Sequence, residues 1–167
     1  VAADYARRVF DAVGEPFDLR LCLRNVGEAD LVSTAADFEV LDFQVELPVA
    51  HAGRAELAVT RDGLLDGCLL WTVVTAAPGA TVDYFREQQA WLPVFIPLGD
   101  EPLAVQAGHR LLLEWSAAPA SDPLFPDYRL AVTGPDGVRR EHVSRHRGDQ
   151  AGGTWLHRAL LDGLDSP

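Results

Sequence analysis

Between residues 17 and 143 apolar and polar side chains alternate in short runs, the period of strands with one wet face. Residues 17–24 (FDLRLCLR), 38–47 (FEVLDFQVEL) and 55–60 follow this pattern. Residues 64–74 (LLDGCLLWTVV) are nearly all apolar and predict a central strand buried on both faces. Shorter runs at 92–98, 103–106, 110–116, 128–133 and 138–143 complete the set, with Pro135-Asp136-Gly137 as a hairpin signal between the last two. Pro93 and Pro97 flank residues 94–96, so that strand is expected at an edge or a bulge, because proline cannot donate to a ladder. Residues 3–13 (ADYARRVFDAV) break the alternation. There Tyr5, Val9, Phe10 and Val13 recur at helical spacing, Asp4, Arg7, Arg8 and Asp11 point elsewhere, and Gly14 and Pro16 end the helix. Residues 154–161 can form a second short helix, with Thr154 as its N-cap.

Many short strands joined by Gly- and Pro-rich turns predict an all-β chain, a barrel or sandwich of about eight to ten strands between the two short helices. The expected organisation is a helical segment over 1–16, a β-barrel over 17–150 and a tail over 151–167, with 117–126 (AAPASDPLFP) as the longest loop. A chain of 167 residues is long enough for one sizeable core.

Charge narrows the partners. All 14 basic residues are arginine, against 25 acids, for a net charge of −11. Nucleic acid and anionic membranes would repel such a surface, whereas arginine-rich peptides suit it, although solubility alone also accounts for it. No apolar stretch approaches the roughly 20 residues of a membrane helix, and no signal peptide opens the chain. With no methionine, Val1 is not expected to be a translation start, so the chain reads as part of a longer protein or one that has lost a leader. Cys22 and Cys68 lie in apolar strand-like runs and are expected as two buried free thiols in a reducing cytoplasm.

The order of motifs from Gly63 to Trp115 is the most specific feature. Gly63-Leu-Leu-Asp-Gly67 opens an apolar run containing Trp71, followed by Thr75-Ala-Ala-Pro78. Trp91-Leu-Pro-Val-Phe-Ile-Pro-Leu98 comes next, then the acidic Gly99-Asp100-Glu101 and Pro102-Leu103-Ala-Val105-Gln-Ala-Gly108. This series resembles the C-terminal β-barrel domain of the protein arginine methyltransferases, and its Trp91–Leu98 segment looks closer to the symmetric-dimethylating branch. The resemblance covers most of 17–133. It implies the substrate-side half of an S-adenosylmethionine-dependent enzyme, completing the groove for an arginine-containing protein or peptide and supporting dimerisation. A preceding domain would then bind S-adenosylmethionine and supply the catalytic acids.

Two departures matter. Where the family commonly reads Thr-His-Trp, this chain has Gln89-Ala90-Trp91, and Asp66 stands where the family usually has histidine. Trp91 is the substrate-binding candidate, and its ring can face either the barrel core or the groove. Trp71 and Trp115 are assigned to core packing. Residues 3–13 with Phe17-Asp18 resemble the end of the family's dimerisation arm. In a lone chain the Tyr5/Val9/Phe10 stripe is expected to fold back on the barrel, because a bare apolar patch drives association.

Catalytic chemistry is not apparent in the residues themselves. No G-x-G follows a strand, no βαβ alternation offers a cofactor cradle, and no paired glutamates suited to a guanidinium are evident. No cofactor, metal or catalytic residue is therefore assigned to this chain. His142 and His146 lack accompanying metal-ligating residues, and residues 139–147 (RREHVSRHR) read as a solvated strand end. Ser33-Thr34 and Ser121-Asp122 have no histidine at a recognisable triad spacing. Two other readings stay open: a free-standing, non-catalytic barrel acting as an interaction or scaffold module, and the domain of a methyltransferase acting on a small molecule.

Overall fold

A computed structural model describes residues 2–14, 17–46, 51–99, 101–118 and 127–144. The chain is all-β, with one helix and eleven strands among these residues. Helix α1 (Ala2–Val13) leads to β1 (Leu21–Cys22), a 3-10 turn (Glu28–Asp30), β2 (His51–Ala58), β3 (Gly63–Leu65), β4 (Gly67–Leu70), β5 (Val73–Ala77) and β6 (Ala80–Asp83). Then follow β7 (Val94–Pro97), β8 (Leu103–Val105), β9 (Arg110–Ala118), β10 (Asp127–Thr133) and β11 (Arg139–Val143). Every ladder is antiparallel. A four-stranded sheet runs β11-β10-β9-β2, a three-stranded sheet runs β1-β7-β4, and β3-β8 and β5-β6 form two-stranded pairs.

The core lies where these sheets face one another. Leu111 and Leu113 of β9 with Leu130 and Val132 of β10 meet Ile96 of β7, Leu65 of β3, and Leu103 and Val105 of β8. Alternation along β2 brings Gly53, Ala55 and Leu57 opposite Trp115, Leu113 and Leu111. At Gly53 an added Cβ would lie 2.2 Å from the Trp115 ring, so only glycine lets the indole lie against the strand. Trp115 packs on the core as expected, with Phe38 at 5.1 Å between ring centroids. The Pro135–Gly137 hairpin forms: Gly137 N–H donates to Gly134 C=O at 3.0 Å, and Gly137 takes φ 78°, a backbone that glycine adopts without strain.

Helix α1 ends as the sequence predicts, with Gly14 at φ 90° donating to Phe10 C=O at 2.7 Å. It folds back on the barrel, burying Ala6 and Val13, with Phe10 edge-on to Phe17 at 5.6 Å. Tyr5 remains half in water.

Several expected strands differ. Residues 17–24 supply only the two-residue β1, because its partner β7 is preceded by Pro93, which accepts from Leu23 N–H but has no N–H to return, and Asn25 turns away at φ 63°. Residues 38–47 are not a strand over their described part. Phe38 is anchored under Trp115 and Tyr128, the chain then turns at Asp42, and Val40 and Phe43 stand 79% and 83% exposed. The alternation is present there, but no neighbouring strand pairs with it. Residues 64–74 split into β3, β4 and the start of β5, each with a different partner, because the chain changes sheets at Asp66 and again after Leu70.

The proline-flanked strand is central rather than at an edge. In an antiparallel ladder successive N–H groups point to opposite neighbours. Leu98 N–H donates to Asp66 C=O on the β4 side, which puts the positions of Pro93 and Pro97 on the β1 side, at the ends of its two-residue ladder. The expected loop over 117–126 and the expected helix over 154–161 lie largely or wholly outside the described residues.

Candidate functional site

The loop from Tyr84 to Leu92, between β6 and β7, carries the expected site residue. Asp83 starts it: its carboxylate accepts Phe85 N–H at 2.9 Å, and its carbonyl accepts Arg86 and Glu87 N–H at 3.1 and 2.8 Å. Gln88 then fastens the loop to the segment after β1. Its side-chain carbonyl accepts Asn25 N–H at 2.7 Å, and its amide donates to Val26 C=O and Phe85 C=O at 2.5 and 2.8 Å. Phe85 is buried, with its ring 4.8 Å from Trp71. A loop held at both ends and at its middle can position a side chain that itself contributes little to the core.

Trp91 is that side chain. It is 56% exposed, and its ring lies 5.1 Å from that of Tyr84 with 39° between the planes. The tilted stack leaves an aromatic surface open to solvent. Such a surface can hold a planar cation by stacking and cation–π attraction, worth about 0.5–2 kcal/mol depending on desolvation. Of the two orientations open to Trp91, the outward one is observed. Tyr84 had no distinguishing motif; an aromatic seven residues before Trp91 in a polar stretch was the only signal. Trp71 faces inward onto Phe85 and lines a separate cleft.

A second cluster went unread in the sequence. His142 lies 8% exposed, its Nε2 2.9 Å from the Asp18 carboxylate, so it is not part of a solvated strand end. The β10–β11 register explains it. His142 pairs with fully buried Leu130 and shares its inward face, while Arg139, Glu141 and Val143 alternate outward. Arg20 reaches the same carboxylate at 3.3 and 3.4 Å, and its guanidinium lies 6.0 Å from the Tyr128 ring centroid. Tyr128 Oη lies 3.0 Å from the Glu39 carboxylate.

Burial pushes the Asp18 pKa up, but the hydrogen bond with His142 and the charge of Arg20 outweigh it and hold the group below its ordinary value. Burial, followed by the charge of Glu39, pushes the Tyr128 hydroxyl up to about 12. The cluster ties the segment after α1 to the last described strand. It contains no exposed nucleophile, and we assign it a structural role.

The remaining candidates fall apart spatially or lie elsewhere. Cys22 is exposed, unlike the buried thiol expected, because β1 borders an open cleft. Cys68 is largely enclosed, and burial pushes its thiol up to about 12. Asp66 sits at the junction of β3 and β4 and offers its carbonyl to Leu98. Ser33 forms a bridge with Val59, while Ser121, Asp122 and His146 lie outside the described residues. Among the described residues no group of three His, Cys, Asp or Glu is placed to hold a metal, and no helix is long and apolar enough to cross a membrane. Compared with known proteins, the chain matches no family model and no curated sequence significantly.

Proposed function

We propose that this chain is the substrate-side β-barrel of an arginine-methyltransferase-like protein, with Trp91 and Tyr84 forming a wall against which a substrate guanidinium rests. The carrying observation is the Trp91 ring, stacked on Tyr84 yet 56% exposed, on a loop fixed by Gln88. The motif order through Gly108 and the net charge of −11 support the same reading. The only described α-helix precedes the first strand, so no described strand feeds a glycine-rich turn into an α-helix N-terminus. The methyl donor and the acids that orient the acceptor belong, in this reading, to a preceding domain and a dimeric assembly.

Calorimetric titration with a Gly-Arg-Gly repeat peptide tests the wall. Saturable binding is expected, weakened about 2- to 30-fold by Trp91→Ala, the range that 0.5–2 kcal/mol represents. A lysine peptide of equal charge is expected to bind less well, since its compact ammonium stacks poorly. Equal affinity of wild type and Trp91→Ala for the arginine peptide would remove the assignment.

A further inference from the structure

Away from Trp91, the barrel wall opens between α1, β1 and β4 into a cleft of about 750 Å³. Leu111, Leu113 and Val132 floor it, and its walls are largely aliphatic. Volume and lining fall in the range of small-molecule sites, roughly 300–1,000 Å³ with a few polar groups among apolar ones.

Two of those polar groups are unusual in this chain. Most described arginines are partnered: Arg7, Arg20, Arg86, Arg110, Arg129 and Arg139 by carboxylates, Arg61 and Arg140 by backbone carbonyls. Arg8, Arg24 and Arg54 make no ion pair or hydrogen bond among the described residues, and two of these three, Arg8 and Arg24, border the cleft. In a chain with 25 acids to 14 arginines, two of the three arginines without a partner among the described residues border the same largely apolar cavity. The cleft has acids too, but they are placed differently. The Asp30 carboxylate accepts Gly27 N–H at 2.9 Å within the 3-10 turn, and Asp66 also borders a small depression under α1, beside Ala6 and Phe10.

We propose that this cleft binds an amphiphilic organic anion of the medium-chain acyl carboxylate class, its tail along the aliphatic floor and its headgroup at Arg8 and Arg24. Charge complementarity sets the headgroup: a planar guanidinium matches a carboxylate with two parallel hydrogen bonds, made here at the solvent-exposed edge of the cleft. The assignment is independent of the guanidinium wall, because neither Trp91 nor Tyr84 borders the cleft. Cys22 supplies a built-in reporter, being an exposed thiol on the cleft wall, whereas Cys68, which borders the same cleft but is only partly accessible, has its thiol pushed up to about 12 by burial and reacts far more slowly.

Calorimetric titration of the purified chain with dodecanoate, below its micelle concentration, tests the proposal. Saturable one-to-one binding is expected, with dodecyltrimethylammonium, which has the same tail and the opposite charge, about tenfold weaker or worse. Arg8→Gln and Arg24→Gln, both at exposed positions, are each expected to weaken dodecanoate about tenfold. Dodecanoate should slow iodoacetamide alkylation of Cys22. The proposal is overturned by no saturable binding, by equal affinity for the cationic surfactant, by unchanged affinity in the double arginine variant, or by binding without protection of Cys22. The comparison of the two surfactants and the alkylation assay use the unmodified chain, so they decide the matter even if an arginine variant fails to fold.

Discussion

Replacing Asp18 by alanine probes the buried tie between the two ends of the described barrel. In the native structure the Asp18 carboxylate serves His142 Nε2 at 2.9 Å and Arg20 at 3.3 and 3.4 Å, and its side chain is only 15% exposed. Alanine removes the acceptor and leaves the imidazole of a residue 8% exposed facing a cavity. An unsatisfied buried polar group costs about 1–3 kcal/mol, and a hydrogen bond involving a charged partner contributes about 1.5–3 kcal/mol. These two figures describe the same loss and are not summed, so about 2–3 kcal/mol is expected at pH 7. For a chain of this size that corresponds to a fall in Tm of about 4–12 °C.

The pH dependence follows from the direction of the Asp18 shift. Its folded pKa lies below the ordinary value of 3.8, so between the folded and unfolded values the unfolded chain binds more protons. The contribution is therefore fully present above the unfolded pKa and is lost as pH falls through the folded one. Urea unfolding of wild type and Asp18→Ala at pH 7 and at pH 3 measures both effects, and the gap should be narrower at the lower pH. A loss under about 1 kcal/mol at pH 7, or a gap that widens on acidification, would refute the reasoning.

Three further outcomes are expected. Trp91→Ala should lower stability by less than about 1.5 kcal/mol in urea unfolding, as for other partly exposed positions, whereas a core tryptophan would cost about 3–5 kcal/mol. Gly67→Ala should cost about 2–3 kcal/mol by the same assay, because the new Cβ would lie 2.4 Å from the Ile96 carbonyl and 2.6 Å from the Phe95 ring; a neutral substitution would mean that β4 and β7 are not so closely paired. At pH 8.5 iodoacetamide should modify Cys22 within minutes and Cys68 far more slowly until the chain unfolds. Because the folded Cys68 thiol ionises near 12 and the ordinary value is 9.0, the folded state binds the extra proton between those values, and stability should fall as pH rises above about 9.

The local code was sufficient for the helix, the Pro135–Gly137 hairpin and the class of fold, but not for the β5–β6 hairpin. The 3.6-residue recurrence of Tyr5, Val9, Phe10 and Val13, ended by Gly14, is a property of neighbouring residues, as is the turn chemistry of Pro135-Asp136-Gly137. Strand alternation at 110–116 and 128–133 likewise marks which residues share a face, and those strands form the floor of the core. A strand, however, is completed by its partner. Residues 38–47 carry the pattern and have no neighbour to pair with over their described part, whereas residues 93–97 carry two discouraging prolines and become central because the missing donors fall at the ends of a short ladder. The long apolar run at 64–74 could not reveal where it changes sheets, since the partners of β3 and β4 lie more than twenty residues away and that of β5 only about ten.

The same division applies to the sites. Trp91 was legible as an aromatic ending a polar stretch, but its outward face depends on Tyr84 and on Gln88 gripping a segment 62 residues away. His142 sits among charged residues in sequence and was legible only as a strand end. Its burial against Asp18, 124 residues earlier, arises from register across β10 and from the packing of the first segment under the last strand, which no local pattern encodes.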